Sequence, residues 1–222
     1  MDRSPRELRG ALEVKLKRST SRIRRQVDEA EGIVVFGSTA AGVDGPFSDV
    51  DVLCIGRYTY GRLKSEEVDL ITIPVATAQS MSWCQSELGT HIAKYGVPIE
   101  GRVSLASCRP GAAAIRGKRR RISAFMRALH TSWPQLEDCF RVKYSTKLRR
   151  ECQRLILMEG GSPVPPTHLL DCCWGAFPES STEVCATLKS LSPTGNLGSA
   201  MDLFERIAEY LVMHRGVSPR VS

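Results

Sequence analysis

Two short apolar runs near the N-terminus carry the polar residues that most constrain how this chain can fold. The first run, residues 32–36, ends in the pair Gly37-Ser38, and the second run contains Asp49 and Asp51 with one residue between them. Apolar runs of this length predict buried strands of a sheet. Acidic residues are rare in such strands unless they are paired or bind a cation, so their presence indicates a site.

The pair Gly37-Ser38 is predicted to turn the first strand into a short helical segment over residues 39–43. Such a turn presents backbone N–H groups, which favour a bound anion. Gly37 has no Cβ, so a phosphate group can approach the backbone closely. The Ser38 hydroxyl group can donate a further hydrogen bond. The pair therefore predicts a phosphate-binding turn.

Asp49 and Asp51 are expected to point to the same face of their strand, with Cα atoms ~7 Å apart. Two carboxylates on one face can bind a hard cation such as Mg²⁺, which prefers oxygen ligands. A second metal ion ~4 Å away needs a further carboxylate. Asp69 is the candidate, because it lies near the start of a third predicted strand, residues 68–73, with apolar neighbours.

The same residues exclude two familiar kinds of loop. An EF-hand is excluded because the acids lie in an apolar run without the calcium-loop ligand pattern. A Walker loop is excluded because no Gly-Lys-Ser/Thr follows Gly37. An Asp-x-Asp motif or a Gly-Ser pair alone is weak evidence for a functional site. The prediction therefore depends on the presence of both, each beside an apolar strand.

The whole pattern predicts an α+β fold, with an N-terminal domain over residues 1–101 and an all-α domain over residues 102–222. Strands and helices are expected in the first domain, and helices separated by Gly and Pro in the second. The expected strands are residues 32–36, 49–55, 68–73 and 97–99, the last at an edge, and the expected helices are residues 5–29, 76–95, 111–130, 135–158, 166–176, 181–190 and 198–214.

Composition limits the cellular setting and the partners. No apolar run approaches the ~18 residues that span a membrane, and the basic N-terminus lacks the apolar stretch of a signal peptide. A cytoplasmic protein without a membrane partner is therefore expected. The eight cysteines lack zinc-ligand spacing and are expected to be reduced thiols, with no role assigned to Cys172-Cys173.

Gly37-Ser38 and Ser48-Asp49-Val50-Asp51-Val52 resemble the signature of the DNA polymerase β-like nucleotidyltransferase superfamily. With Val68-Asp69-Leu70, they most resemble its minimal branch, which contains antitoxin-like and adenylyltransferase-like enzymes. Residues 88–101 are similar to the helix and edge strand that close such domains. The resemblance covers residues 30–101. It implies a mixed sheet flanked by helices, and metal-dependent transfer of a nucleotidyl group from an NTP with release of pyrophosphate.

The resemblance also implies a role for each residue of the motif. Gly37 and Ser38 would hold the triphosphate, and Asp49 and Asp51 would bind two Mg²⁺ ions, for which Mn²⁺ could substitute. Asp69 would bind one metal ion and activate the acceptor hydroxyl group. ATP is the favoured donor, so the group transferred would be AMP. Many minimal members carry an arginine soon after the Gly-Ser pair, where this chain has Ala40-Ala41, so that positive contact to phosphate is missing or comes from elsewhere.

The acceptor has no motif, but the charge of the chain bears on it. The net charge is +7, and twelve lysines and arginines lie in the runs 116–127 and 141–154. Together with a basic N-terminal helix, these runs favour RNA, such as a tRNA end, or an acidic partner protein, as in toxin-antitoxin or defence systems. An aminoglycoside acceptor ranks last, because a cationic drug needs an acidic site. A catalytically weak nucleotide-binding subunit remains the non-enzymatic alternative.

Overall fold

The computed structural model describes residues 3–45, 47–101 and 103–176 of the chain. They form two compact units. The sheet unit comprises the chain up to Gly111 together with Pro163–His168, and the helical unit comprises Ala112–Ser162 and continues from Leu169. The expected α+β class is confirmed, since a mixed sheet with flanking helices precedes a helical region. The expected domain division between residues 101 and 102 stays a prediction.

The strands among the described residues are β1 (Gly32–Phe36), β2 (Val50–Gly56), β3 (Gly61–Lys64), β4 (Val68–Pro74) and β5 (Val97–Glu100). They form one mixed sheet in the order β3-β4-β2-β1-β5. Strands β2 and β4 are parallel, and the other neighbouring strands are antiparallel. The four expected strands are present, the last of them at the sheet edge, and β3 was not expected.

The two faces of the sheet bury different sets of side chains, because successive residues of a strand point to opposite faces. On β2, Val50 and Val52 pack with Leu8 of the N-terminal helices, whereas Leu53 packs in a separate cluster with Ile92. Helices therefore cover both faces, and the alternation along β2 decides which face receives each polar residue.

The expected N-terminal helix, residues 5–29, is two helices, α1 (Pro5–Arg18) and α2 (Ser21–Asp28). Ser19 ends the first in an extended conformation. Thr20 then caps the second, accepting a hydrogen bond from the N–H of Ile23. A threonine cap of this kind satisfies an N–H group that would otherwise lack a partner, which favours a new helix start over continuation.

The expected helix over residues 76–95 is also divided. Ser80 and Ser86 each accept a hydrogen bond from a backbone N–H at the start of a new helix, so the chain turns twice instead of continuing. The short helices of the sheet unit are α3 (Gly37–Ala40), α4 (Val75–Ala78), α5 (Met81–Cys84) and α6 (Glu87–Tyr95).

The helical unit is built on α7 (Ala112–Ser132), α8 (Asp138–Glu159) and α9 (Thr167–Ala176). These helices confirm three of the expected helical segments, while residues 181–190 and 198–214 lie outside the described part. No helix among the described residues is both long enough and apolar enough to cross a membrane. The unit's core contains Ile122, Met126, Leu129, Trp133, Leu148, Cys152 and Leu155.

A buried ion pair joins α7 to α8. The Lys118 side chain is only 2% exposed, and its Nζ donates a hydrogen bond of 2.6 Å to Oε2 of Glu151. A buried ammonium group is costly without its carboxylate, so the two helices depend on each other at this point.

We expect Glu151→Leu to lower the free energy of unfolding by about 3 kcal/mol, because it removes the carboxylate partner of a buried lysine. Urea denaturation followed by circular dichroism measures the change. Glu159→Leu is the matched control, since Glu159 pairs with Arg119, which is 48% exposed. That exposed pair should contribute less than about 1 kcal/mol, and equal losses in the two variants would contradict the prediction.

Candidate active site

Strands β2 and β4 bring Asp51 and Asp69 side by side. The two residues are partners in the parallel register, and neighbouring strands lie about 4.8 Å apart. Asp49 immediately precedes β2, two residues before Asp51, and a single Nζ atom, that of Lys64, lies 2.9 Å from Asp49 Oδ2 and 3.2 Å from Asp69 Oδ2. The three aspartates singled out in the sequence therefore converge at one end of two parallel strands.

The apolar neighbours of Asp51 fix the direction of its side chain. Val50 and Val52 are buried on the face covered by α1 and α2. Since alternate residues point to opposite faces, Asp51 must point to the other face, as does Asp69 between Val68 and Leu70. A shift of β2 by one residue would turn Asp51 to the face covered by the helices, so Val50 and Val52 specify the direction of its side chain.

Gly37 lies directly against this acidic cluster. Its φ of 71° is a left-handed conformation, which glycine adopts at little cost. A Cβ atom built on Gly37 would lie 2.1 Å from Oδ2 of Asp51. Glycine is therefore required at this position for two reasons. The turn needs a positive φ, and the Asp51 carboxylate occupies the space that a Cβ atom would fill.

Ser38 follows Gly37 in the first turn of α3. The Thr39 hydroxyl donates a hydrogen bond of 3.5 Å to the backbone carbonyl of Asp49. This contact ties α3 to the residue that opens β2, and α3 and β2 pack together. The Gly-Ser turn and the aspartates, separated in sequence, thus form one local structure.

Two basic residues of β3, Arg62 and Lys64, belong to the site and were missed in the sequence. Arg62 Nε donates to Asp69 Oδ1 over 2.7 Å, and its Nη2 donates to Asp69 Oδ2. Lys64 bridges Asp49 and Asp69. The signal that could have revealed them is the alternation Arg62-Leu63-Lys64, which places both bases on one face of a short strand beside β4.

The charges perturb the two strand carboxylates in opposite directions. Burial, together with the neighbouring carboxylates of Asp49 and Asp69, raises the pKa of Asp51 to about 7, because Lys64 and Arg62 offset only part of these effects. The hydrogen bonds from Arg62 lower the pKa of Asp69 below its usual value despite its burial. Asp69 therefore stays ionised, whereas Asp51 is the carboxylate that most lacks a compensating positive charge.

The donor chemistry of the site suits a hard divalent cation, because it consists of carboxylate oxygens held close together on one face. Burial and the two neighbouring carboxylates raise the pKa of Asp51, so a cation bound beside it would favour its ionised form. Among the described side chains, however, no three His, Cys, Asp or Glu residues stand in an arrangement ready to hold a metal ion. Arg62 and Lys64 engage Asp69 and Asp49 instead.

A mixed sheet that carries converging aspartates beside a Gly-Ser turn defines a class of proteins that handle nucleotides at an acidic site. The nucleotidyltransferase domain family matches residues 17–147, more than half of the chain, and the protein belongs to this family. The expected polymerase β-like superfamily is thereby confirmed, while the minimal branch stays a prediction. No curated protein matches the chain.

Membership of the family establishes the general reaction. The protein is a transferase of nucleotidyl groups, and the family implies an NTP substrate and a divalent metal ion. The family match extends beyond the sheet unit into α7 and α8, so it also covers part of the helical unit.

We expect Gly37→Ala to reduce NTP turnover about a hundredfold, because the new methyl group would displace the Asp51 carboxylate by an ångström or more. Steady-state pyrophosphate release measures the effect. Gly42→Ala is the control for backbone strain, since Gly42 has a similar φ of 67° in the same loop. Equal losses in both variants would show that strain, and not contact with Asp51, is responsible.

Proposed function

We propose that this protein is a Mg²⁺-dependent nucleotidyltransferase that moves AMP from ATP to a hydroxyl group of a macromolecular acceptor, either a protein or RNA. The observation that carries the proposal is the pairing of Asp51 with Asp69 across parallel strands, with Gly37 directly against Asp51. This arrangement supports the proposal, because the Gly-Ser turn lies directly beside a cluster of carboxylate oxygens, the kind of ligand that Mg²⁺ prefers.

In this proposal Asp49 and Asp51 bind two Mg²⁺ ions, and Asp69 binds one of them. Mn²⁺ could replace Mg²⁺, since both prefer oxygen ligands. A bound divalent ion would neutralise charge on the phosphates during in-line displacement. In the same proposal Gly37 and Ser38 hold the triphosphate, through the backbone of their turn and through a hydrogen bond from the Ser38 hydroxyl group.

Asp69 is the proposed group that activates the acceptor hydroxyl. Its side chain is 3% exposed, and Arg62 holds both of its oxygens. The lowered pKa keeps the carboxylate ionised at neutral pH, which is the state needed to accept a hydrogen bond from a hydroxyl group. Asp51, with its raised pKa, is less suited to that task before a cation binds.

A macromolecular acceptor is supported by the basic surface of α1 and α2. Arg6, Lys17, Arg22 and Arg24 are exposed there, and an array of exposed cations favours a polyanion or an acidic protein. In the helical unit, by contrast, many bases of the two basic runs are engaged in ion pairs with acids of the same unit, so the charge count overstates what a partner can use: Lys118, Arg119, Arg141, Arg149, Arg150 and Arg154.

The test is a labelling experiment with the full chain. The protein is incubated with Mg²⁺, a cell extract and each of the four NTPs labelled at the α-phosphate. We expect label from ATP in a macromolecule, and digestion with RNase or protease then tells RNA from protein. Label in an added aminoglycoside would support that alternative. Tight NTP binding without label or pyrophosphate would support a regulatory subunit and overturn the proposal.

We expect Asp51→Asn to lower ATP consumption by at least about a hundredfold, because it removes a charge that positions and neutralises the reacting groups. Asp49→Asn and Asp69→Asn should behave alike. Pyrophosphate release measures turnover, and circular dichroism checks the fold. Asp28→Asn, at the exposed end of α2, is the matched control and should retain activity. Normal turnover by Asp51→Asn would contradict the assignment of Asp51 to the active site.

A further inference from the structure

Strand β3 places two positive charges against two of the three carboxylates, those of Asp49 and Asp69. Arg62 binds both oxygens of Asp69, and Lys64 Nζ bridges Asp49 and Asp69 at 2.9 Å and 3.2 Å. The pair Arg62 and Lys64 is called the β3 clamp here. In formal charge the clamp supplies +2, the same charge as one divalent cation.

The burial of the two sides of this contact is unequal. The Asp69 side chain is 3% exposed, whereas those of Arg62 and Lys64 are 62% and 61% exposed. The carboxylate belongs to the protein interior, and the bases reach it from the solvent side on long side chains. The bases can therefore leave without disturbing the core, but Asp69 would then be a buried anion without a partner, which is costly.

We propose that the β3 clamp is an exchangeable counter-charge: Arg62 and Lys64 hold Asp49 and Asp69 together in the metal-free protein, yield them to a divalent cation, and then bind the phosphates of the NTP. This inference rests on the metal site of the proposed function.

The first half of the exchange is supported by the hydrogen bonds that the oxygen atoms of Asp69 already accept. Both oxygens of Asp69 accept hydrogen bonds from Arg62, and one of them also accepts from Lys64. Lone pairs engaged in this way compete with metal coordination.

The second half of the exchange follows from the chemistry of the two bases. A guanidinium group binds phosphate with the same two-pronged geometry as it binds carboxylate, and an ammonium group binds it as a point charge. Residues 40 and 41, just after the Gly-Ser turn, are both alanine and carry no charge. Arg62 and Lys64, on the same face as Asp69, supply positive charge beside the carboxylates from a different strand.

The variant Arg62→Gln distinguishes exchange from a purely structural ion pair. Exchange predicts that the variant binds a divalent cation more tightly and ATP more weakly than the parent protein. We expect Mn²⁺, measured by the loss of the free-ion electron paramagnetic resonance signal, to bind at least about tenfold more tightly to the variant, since a competitor is gone. We expect ATP, measured by calorimetry with metal present, to bind about tenfold more weakly.

Thermal melts give a readout that does not depend on turnover or nucleotide. In EDTA, Arg62→Gln should melt at a lower temperature than the parent protein, because Asp69 loses the guanidinium group that binds both of its oxygens and keeps only Lys64. In excess Mg²⁺ this difference should shrink, since the cation replaces the guanidinium group. Arg57→Gln is the matched control: Arg57 pairs with Glu31 at 3.6 Å and is 97% exposed, so its effect should be the same in both buffers.

Lys64→Gln is the second variant, for the case in which Arg62→Gln does not fold, and should show the same signs. Equal Mn²⁺ affinity in parent and variants, with melting differences that do not depend on metal, would overturn the clamp while leaving the transferase assignment intact. Failure of the parent protein to bind Mn²⁺ or Mg²⁺ would overturn the proposed metal site itself, and the clamp with it.

Discussion

The parallel pairing of β2 with β4 is the constraint on which the site depends. It sets Asp51 beside Asp69 at one register position, so two like charges lie a strand spacing apart on a partly buried face. Such an arrangement is unfavourable unless positive charge is nearby. Arg62 and Lys64 of β3 supply positive charge beside these carboxylates. The Gly-Ser turn contacts Asp51 through the backbone of Gly37, which has no side chain. The two bases of β3 and the glycine are therefore the features that make this acidic pair tolerable.

Much of the fold could be predicted because most of its strands correspond to apolar runs in the sequence. β1, β2 and β4 are buried on both faces, which gives a continuous signal, and the edge strand β5 follows a clear Gly break. Strand β3 was not predicted because half-buried and exposed residues alternate along it and only Leu63 packs against the core. The helix breaks at Thr20, Ser80 and Ser86 escaped for a different reason: apolar periodicity continues through them, and the deciding interaction is one serine or threonine hydroxyl bonded to a backbone N–H.

The candidate site divides in the same way. The aspartates and Gly37-Ser38 could be found because their spacing along the chain already implies their spacing in space: two residues apart on a strand means one face. Arg62 could not be found by that route. It meets Asp69 only because a hairpin folds β3 onto β4, and a basic residue in a polar stretch predicts nothing by itself. The contact of Gly37 with Asp51 likewise depends on the antiparallel pairing of Phe36 with Asp51, which is tertiary information.

The balance of charge at the site bears on how a nucleotide can bind there. Three aspartates against one arginine and one lysine leave an excess of negative charge, and a triphosphate is itself a polyanion. The exposed cations of α1 and α2 do not correct this locally, because those helices cover the opposite face of the sheet. Attraction for a nucleotide must therefore be created at the site, by a bound cation, by release of the two β3 bases from their carboxylates, or by both. The basic helices are then available to a different ligand, and an acceptor that uses them must reach the aspartates around the edge of the sheet.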